Sequence, residues 1–270
     1  MKIRNIFEFF GFKGKPKNHS YELVEFDLEH FGVVRYAQWN HPAESRKAIT
    51  SQLVEGYQAY VAEGDFCIDI GAHSGDTTLP MALAAGKSGC VLALEPNPYV
   101  YHVLQKTARA NPRLTNIFPL MAAAGKEEGF MEFEYSDSGF CNGGRHENMP
   151  FLVHGHAFRQ RVFSIDLEKE LRSDFEFFLP RLSFLKIDAE GYDLYVLLSI
   201  ERIILEYRPV IKAEVFKKTS SEYRLDLLRF FEKANYSVYI IDSEPLGKGE
   251  KLTSEKISIQ NHYDILALPN

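Results

Sequence analysis

The sequence predicts an α/β domain built on a mostly parallel sheet with helices on both faces. Three observations predict it. Short continuous apolar runs, FCIDI, VLALEP, SFLKID and VIKAEVF, alternate with helical patterns from residue 66 onward. Strands covered on both faces read as such unbroken runs. The first run also breaks abruptly into Gly71-Ala72-His73-Ser74-Gly75. That is a glycine turn at a strand's carboxyl end, where open α/β sheets bind ligands.

The elements follow in order. Residues 1–13 mix bases with Ile3, Ile6, Phe7, Phe9, Phe10 and Phe12. Two readings fit: an end helix packed on its own domain or on a second subunit, or a membrane-surface helix. Residues 21–39 read as a hairpin, YELVEF and VVRYAQW, turning near Glu29–Gly32. Residues 43–62 read as a helix. Ile49, Leu53, Tyr57 and Val61 share one face, and Gly64 stops it. Residues 1–62 thus form an extension of helix, hairpin and helix packed on a core domain of residues 63–270.

FCIDI opens that core. Residues 75–85 are helical, with Pro80 near the first turn, where a missing N–H costs little. VLALEP is the second strand. Asn97 caps, and Pro98 opens, a helix to about Ala110. NIFPLMAA is a third strand whose Pro119 demotes its middle to a bulge or an edge. An insertion at about 130–163 breaks the rhythm. MEFEY is an excursion strand, DSGFCNGGRHENMPFLVHGH a loop rich in Gly, Asn and His, and RVFSID a returning strand whose Asp166 caps a short helix. SFLKID follows, then a helix from Gly191 to Arg208 stopped by Pro209, then VIKAEVF. Thr219-Ser220-Ser221-Glu222 is a capping box for a helix to Ala234. YSVYIID and YDILALP close the chain with no helix between them, which implies an antiparallel partner at that edge.

Size and charge narrow the function. The 270 residues suffice for one large domain with a short extension or for two small ones, and 45% hydrophobic and 25% charged residues are ordinary for a globular chain. A net charge of −6 argues against a nucleic-acid backbone as partner. Cys67, Cys90 and Cys141 form no disulfide framework, and a reducing cytoplasm fits them. No apolar stretch approaches the roughly 18–20 residues of a membrane span.

The glycine turn reads D-x-G-x-x-x-G, neither the fingerprint of pyrophosphate-binding dinucleotide folds nor a phosphate loop. Glu95 ends the second strand, where an acid accepts the hydroxyl protons of a ribose. Close approach plus a ribose acceptor, without phosphate chemistry, describes a nucleoside without phosphates, and S-adenosylmethionine is the common cofactor of that kind. Asp69 is then placed to meet its ammonium group, directly or through water. The plainer reading is a tight strand-to-helix turn beside a solvent-facing acid.

These residues resemble the FkbM-type methyltransferases. The resemblance runs through Asp69-Ile70-Gly71-Ala72-His73-Ser74-Gly75, Leu94-Glu95-Pro96-Asn97-Pro98 and Ala122-Ala123. It continues through Ser164-Ile165-Asp166-Leu167, Phe184-Leu185-Lys186-Ile187-Asp188-Ala189-Glu190-Gly191 and Pro209 to Val215. Together these span about residues 60–216, and K-I-D-x-E-G is their most specific string. The chain departs from the family pattern at Tyr192 and at Leu197-Leu198-Ser199-Ile200. The resemblance implies a Rossmann-like class I methyltransferase fold with a seven-stranded sheet, and methyl transfer to oxygen, commonly a sugar hydroxyl of a glycan, glycolipid or natural product. It implies ribose binding by Glu95, with Asn97 beside it, and adenine against Ala122 and Ala123.

An alcohol needs a general base, or a metal that acidifies it. Asp188 and Glu190 end the fourth core strand. Lys186, Asp188 and Glu190 share a face if the strand stays extended. With Glu214 from the next strand, the two carboxylates offer an oxygen set for Mg²⁺; the alternative is a turn with Glu190 capping the next helix. His146, His154 and His156, with Cys141, match no standard zinc spacing; His154 is retained as a candidate base. His73 is assigned to cofactor packing. Acceptor specificity is expected in residues 136–160 and the N-terminal segment, and a homodimer is left open. Two other classes stand beside this one: a nicotinamide-dependent sugar oxidoreductase, which lacks its third glycine here, and a non-catalytic binding module that kept the fold.

Overall fold

The structure, a computed structural model, describes residues 17–135, 143–144, 158–258 and 260–270. The N-terminal aromatic segment, Cys141, His146, His154 and His156 lie outside the described residues. The hairpin forms where expected, β1 (Tyr21–Leu28) pairing antiparallel with β2 (Gly32–Trp39). Helix α1 is shorter than its periodicity suggests. It runs only over Ser51–Gln58, because the Thr50 side chain accepts the Leu53 N–H and so fixes the start. Residues 43–50 are irregular.

The core then alternates. β3 (Phe66–Ile70), α2 (Thr78–Ala85), β4 (Cys90–Leu94) and α3 (Pro98–Ala110, capped by Asn97) follow the expected order. The third strand divides. β5 (Ile117–Leu120) stays in the main sheet at its edge, the position that tolerates Pro119, while β6 (Ala123–Gly125) leaves it. β7 (Gly129–Tyr135), β8 (Gly143–Gly144) and β9 (Phe158–Asp166) join β6 in a second sheet of order β6-β9-β7-β8. Helix α4 (Leu167–Ser173) starts on the Asp166 cap.

β10 (Leu182–Ile187) returns to the main sheet. The single helix expected from Gly191 is two, α5 (Asp193–Ser199) and α6 (Glu201–Tyr207), broken at Ile200. β11 (Val210–Val215), α7 (Ser221–Lys233, capped by Ser220) and β12 (Tyr236–Ile241) follow. β13 (Lys248–Lys251) had no apolar signal in its sequence, and β14 (Tyr263–Pro269) ends the chain.

The main sheet has the order β13-β12-β14-β11-β10-β3-β4-β5. The seven expected strands are all present, and β13 adds an eighth at one edge. Pairs from β11 through β5 are parallel; β14 is antiparallel to both β11 and β12. Alternate residues feed two cores. Phe66, Ile68 and Ile70 pack with α5, α6 and α7, whereas Cys67, Val91 and Phe184 pack with α1 and α2. The order of connection reverses between the neighbours β3 and β10, which opens a crevice above their carboxyl ends.

The hairpin is bolted to α3. Ala37 and Trp39 pack on Val100 and Val103. Asn111 accepts the Arg35 N–H at 2.9 Å and donates to the Arg35 carbonyl at 2.7 Å. Asn111→Ala removes both bonds from a buried site and should cost about 1–3 kcal/mol; denaturant titration measures it, and an unchanged midpoint would show that the hairpin docks without them.

Candidate active site

A cleft lies over the carboxyl ends of β3, β4 and β10, walled by β6, β7 and the irregular segment before α1. The glycine turn forms its floor. Gly71 has φ of +77°, and a Cβ there would collide with the carbonyl oxygen of Asp188 at the end of β10. Gly75, at φ of +89°, lies under α3, and a Cβ would come within 3.0 Å of both Leu104 and Thr107. Both glycines thus let protein approach protein. Gly71 also lines the cleft, whereas Ala72 packs inward on Ala93 and Leu104.

His73 adopts φ of +50°, uncommon for a residue with a Cβ. This aims its N–H at Glu95 Oε2, 2.9 Å away, while Asn97 N–H donates to Glu95 Oε1 at 2.8 Å. Each carboxylate oxygen is fixed by one main-chain donor and keeps a lone pair for another. Burial raises the Glu95 pKa, against the pull of His73 and the two N–H groups. Asn97 and Ala122, Ala123 and Ala124 line the same side of the cleft.

Asp69 does not line the cleft. It is fully buried beneath the turn, its Oδ2 accepting from the Thr78 and Thr77 hydroxyls at 2.6 and 3.0 Å and its Oδ1 lying 3.1 Å from Lys186 Nζ. Lys186 also donates to the Gly71 carbonyl at 3.1 Å and lies 3.6 Å from Asp188 Oδ2. Burial opposes the Lys186 charge, but the Asp69 and Asp188 carboxylates outweigh it and hold the ammonium above its ordinary range. The Asp188 side chain is 47% exposed, on the cleft wall.

The expected face of residues 186, 188 and 190 ends at Asp188. β10 stops at Ile187 and Glu190 turns left-handed, at φ of +52°. Glu190 reaches the cleft all the same, its carboxyl raised by burial and then by Asp188. It caps nothing, since the residue before α5 is Tyr192, without a side-chain cap. Glu214 does not join them on the cleft wall. It sits to one side, with Oε1 3.5 Å from His262 Nδ1. Among the described residues no three His, Cys, Asp or Glu side chains are arranged to hold a metal ion. The oxygen set of Asp188, Glu190 and Glu214 for Mg²⁺ is thereby corrected, because the left-handed turn at Glu190 takes the chain off the strand line.

The model of the methyltransferase FkbM domain matches residues 69–238, from the aspartate under the glycine turn to within β12. The chain belongs to the FkbM methyltransferase family. No curated protein matches it in sequence. The solved FkbM methyltransferase from Methylobacillus flagellatus is similar at 15% identity and a TM-score of 0.46, over 80% of this chain and 51% of that one; this chain therefore spans about half that protein's length. An O-methyltransferase from Bacillus cereus in complex with SAH is similar at 16% identity and a TM-score of 0.45, over 86% and 85% of the two chains. Fibrillarin from Aeropyrum pernix, with natively bound S-adenosyl-L-methionine, gives 12% and 0.43 over 94% and 97%.

Beyond the residues the FkbM resemblance marks, the cleft is lined by Glu44, Lys47, Asp76, Phe133, Tyr135 and Tyr192. Asp76 stands one step past the second glycine and Tyr192 one step past the K-I-D-x-E-G string. Residues 44 and 47 lie in an irregular stretch, and the β7 aromatics read as an ordinary strand face. No helix among the described residues is long and apolar enough to cross a membrane.

Behind the FkbM string sits Asp193, fully buried, accepting the Gly191 and Glu214 N–H groups at 3.3 and 3.2 Å. Burial and then Asp188 push its carboxyl up to about 7. Burial, followed by Asp188, Asp193, Glu190 and Asp264, pushes Glu214 up to about 9. Both carboxyls bind protons more tightly folded than unfolded, against ordinary values of 3.8 and 4.5. Their contribution to stability is therefore full at low pH and is lost as pH rises through about 7 and then about 9. Denaturant titration from about pH 5 to about pH 9 should show this decline, and Glu214→Gln should make it shallower; parallel curves would remove Glu214 from the account.

Proposed function

We propose that residues 63–270 form an S-adenosylmethionine-dependent O-methyltransferase domain acting on a sugar hydroxyl of a glycan, glycolipid or glycosylated natural product, with residues 1–62 as its extension. One observation carries the reading: a carboxylate held by two main-chain N–H groups, Glu95, shares a cleft with an exposed carboxylate on a buried ammonium, Asp188.

The residues fit the cofactor. Glu95 offers oriented acceptors for two ribose hydroxyls, and Ala122 to Ala124 give a flat, small-residue wall for adenine. When bound, S-adenosylmethionine supplies an electrophilic methyl group on a sulfonium. The chain must then place an acceptor hydroxyl in line and take its proton. Asp188 is the base of this scheme. Lys186 holds Oδ2 at 3.6 Å, and Oδ1 receives the proton. Glu190, with its raised pKa, hydrogen-bonds a neighbouring hydroxyl. Tyr135 and Tyr192 also line the cleft, and aromatic rings suit the C–H face of a sugar ring. His154 is the alternative base. Free, buried Cys67 and Cys90 fit a reducing, cytoplasmic setting.

Two variants separate the roles. Glu95→Ala should weaken S-adenosylmethionine binding by about 1.5–3 kcal/mol in calorimetry, and an unchanged affinity in a folded variant would sink the ribose assignment. Asp188→Asn keeps the shape but removes the proton acceptor. Turnover should fall roughly 10²–10⁴-fold while cofactor affinity barely moves; near-normal turnover would shift the search for a base to His146, His154 and His156.

A further inference from the structure

Three charged residues on the cleft wall have no task in the proposed reaction: Glu44, Lys47 and Asp76. The first two precede residue 69, outside the segment that matches the family. Lys47 Nζ lies 3.0 Å from Asp76 Oδ2 and 3.3 Å from Glu44 Oε1. An ammonium has three donors, so these two carboxylates leave one for a further acceptor.

The segment that brings them is irregular but fixed. Lys47 N–H donates to Gln38 Oε1 at 2.8 Å, and Gln38 Nε2 donates to the carbonyls of Trp39 and Ser45 at 3.1 and 3.4 Å. Gln38 is 3% exposed. A buried amide spent on the main chain of a non-helical stretch sets its course, so Glu44 and Lys47 reach the cleft by construction. Burial opposes the charge on Asp76, but Lys47 and His73 outweigh it and hold its carboxyl below the ordinary range.

One ammonium flanked by carboxylates complements a zwitterion. S-adenosylmethionine carries one, the amino-acid group at the end remote from adenine. Asp69, the acid nearest the glycine turn in sequence, is committed to Thr77, Thr78 and Lys186 and does not line the cleft. We infer that Lys47 and Glu44 bind the amino-acid end of the cofactor, Lys47 meeting its carboxylate and Glu44 its ammonium. The inference rests on the cofactor reading above and extends the binding site into the N-terminal extension. The rival is a bare latch, in which the Lys47–Asp76 pair only pins the segment.

Calorimetry on the full chain separates them. S-adenosylhomocysteine carries the zwitterion; 5′-methylthioadenosine has the same nucleoside and thioether without it. Lys47→Ala should weaken S-adenosylhomocysteine binding roughly 10–100-fold, as expected for a charged partner, and change 5′-methylthioadenosine binding less than about twofold. Lys47→Arg should recover part of the loss. Glu44→Gln, which keeps the side chain's volume, should show the same selectivity and carries the test if Lys47→Ala does not fold. Equal effects on the two ligands, or none, overturn the inference and leave the latch. Wild-type protein that binds neither nucleoside overturns the cofactor reading and this inference with it.

Discussion

The buried ammonium of Lys186 holds the site together. It is 5% exposed, faces the fully buried Asp69, bonds the carbonyl of Gly71 and reaches Asp188. Taking such a pair out of water costs several kcal/mol per ion, and the mutual attraction roughly repays it. The pair is therefore poor evidence for stability. What it supplies is position. Asp69 Oδ2 also takes the hydroxyls of Thr77 and Thr78 at the start of α2. One ion pair thus fixes the ends of β3 and β10, the first turn of α2 and the main chain of the glycine turn. Removing either partner would strand a buried charge, so the geometry at Asp188 and the integrity of the sheet cannot be varied independently.

The N-terminal hairpin belongs to the same frame. Tyr36 and Ser74 share a 2.5 Å hydroxyl contact, and the Trp39 ring meets the His73 ring edge-on at 5.5 Å. Thr107 of α3 donates to the Ser74 carbonyl at 2.8 Å and accepts the Ala37 N–H at 3.3 Å. The glycine turn is thereby held from beneath by Lys186 and from the side by the hairpin. A residue in the left-handed region persists only where its surroundings over-determine it, and His73 meets that condition through Glu95 on one side and Trp39 on the other.

The alternation of strands and helices was legible in the sequence because every strand buried on both faces is an apolar run. The antiparallel end followed from two strands without a helix between them. What escaped were features that periodicity does not encode. The helix expected from residue 43 starts at Ser51 because a cap, not the apolar face, sets its boundary. The break at Ile200 and the polar strand Lys248–Lys251 have no apolar signature. Glu95, Lys186, Asp188 and Glu190 line the cleft, as their places at strand ends lead one to expect. Asp69 lies beneath it instead: nothing in D-x-G-x-x-x-G tells that two threonines eight and nine residues on will claim its carboxylate. Glu44 and Lys47 were invisible, since an irregular segment carries no pattern and its course depends on a distant glutamine.

The two ends of the cleft differ in how their charge is set. At Glu95 a carboxylate is clamped by two main-chain N–H donors, which do not themselves titrate. At the other end the carboxyls of Glu190, Asp193 and Glu214 are each raised by burial first and by neighbouring carboxyls next. Lys186 lies 3.6 Å from the Oδ2 of Asp188, whose side chain is 47% exposed. One end of the cleft is thus set by main-chain donors and the other by a buried ammonium among carboxyl groups.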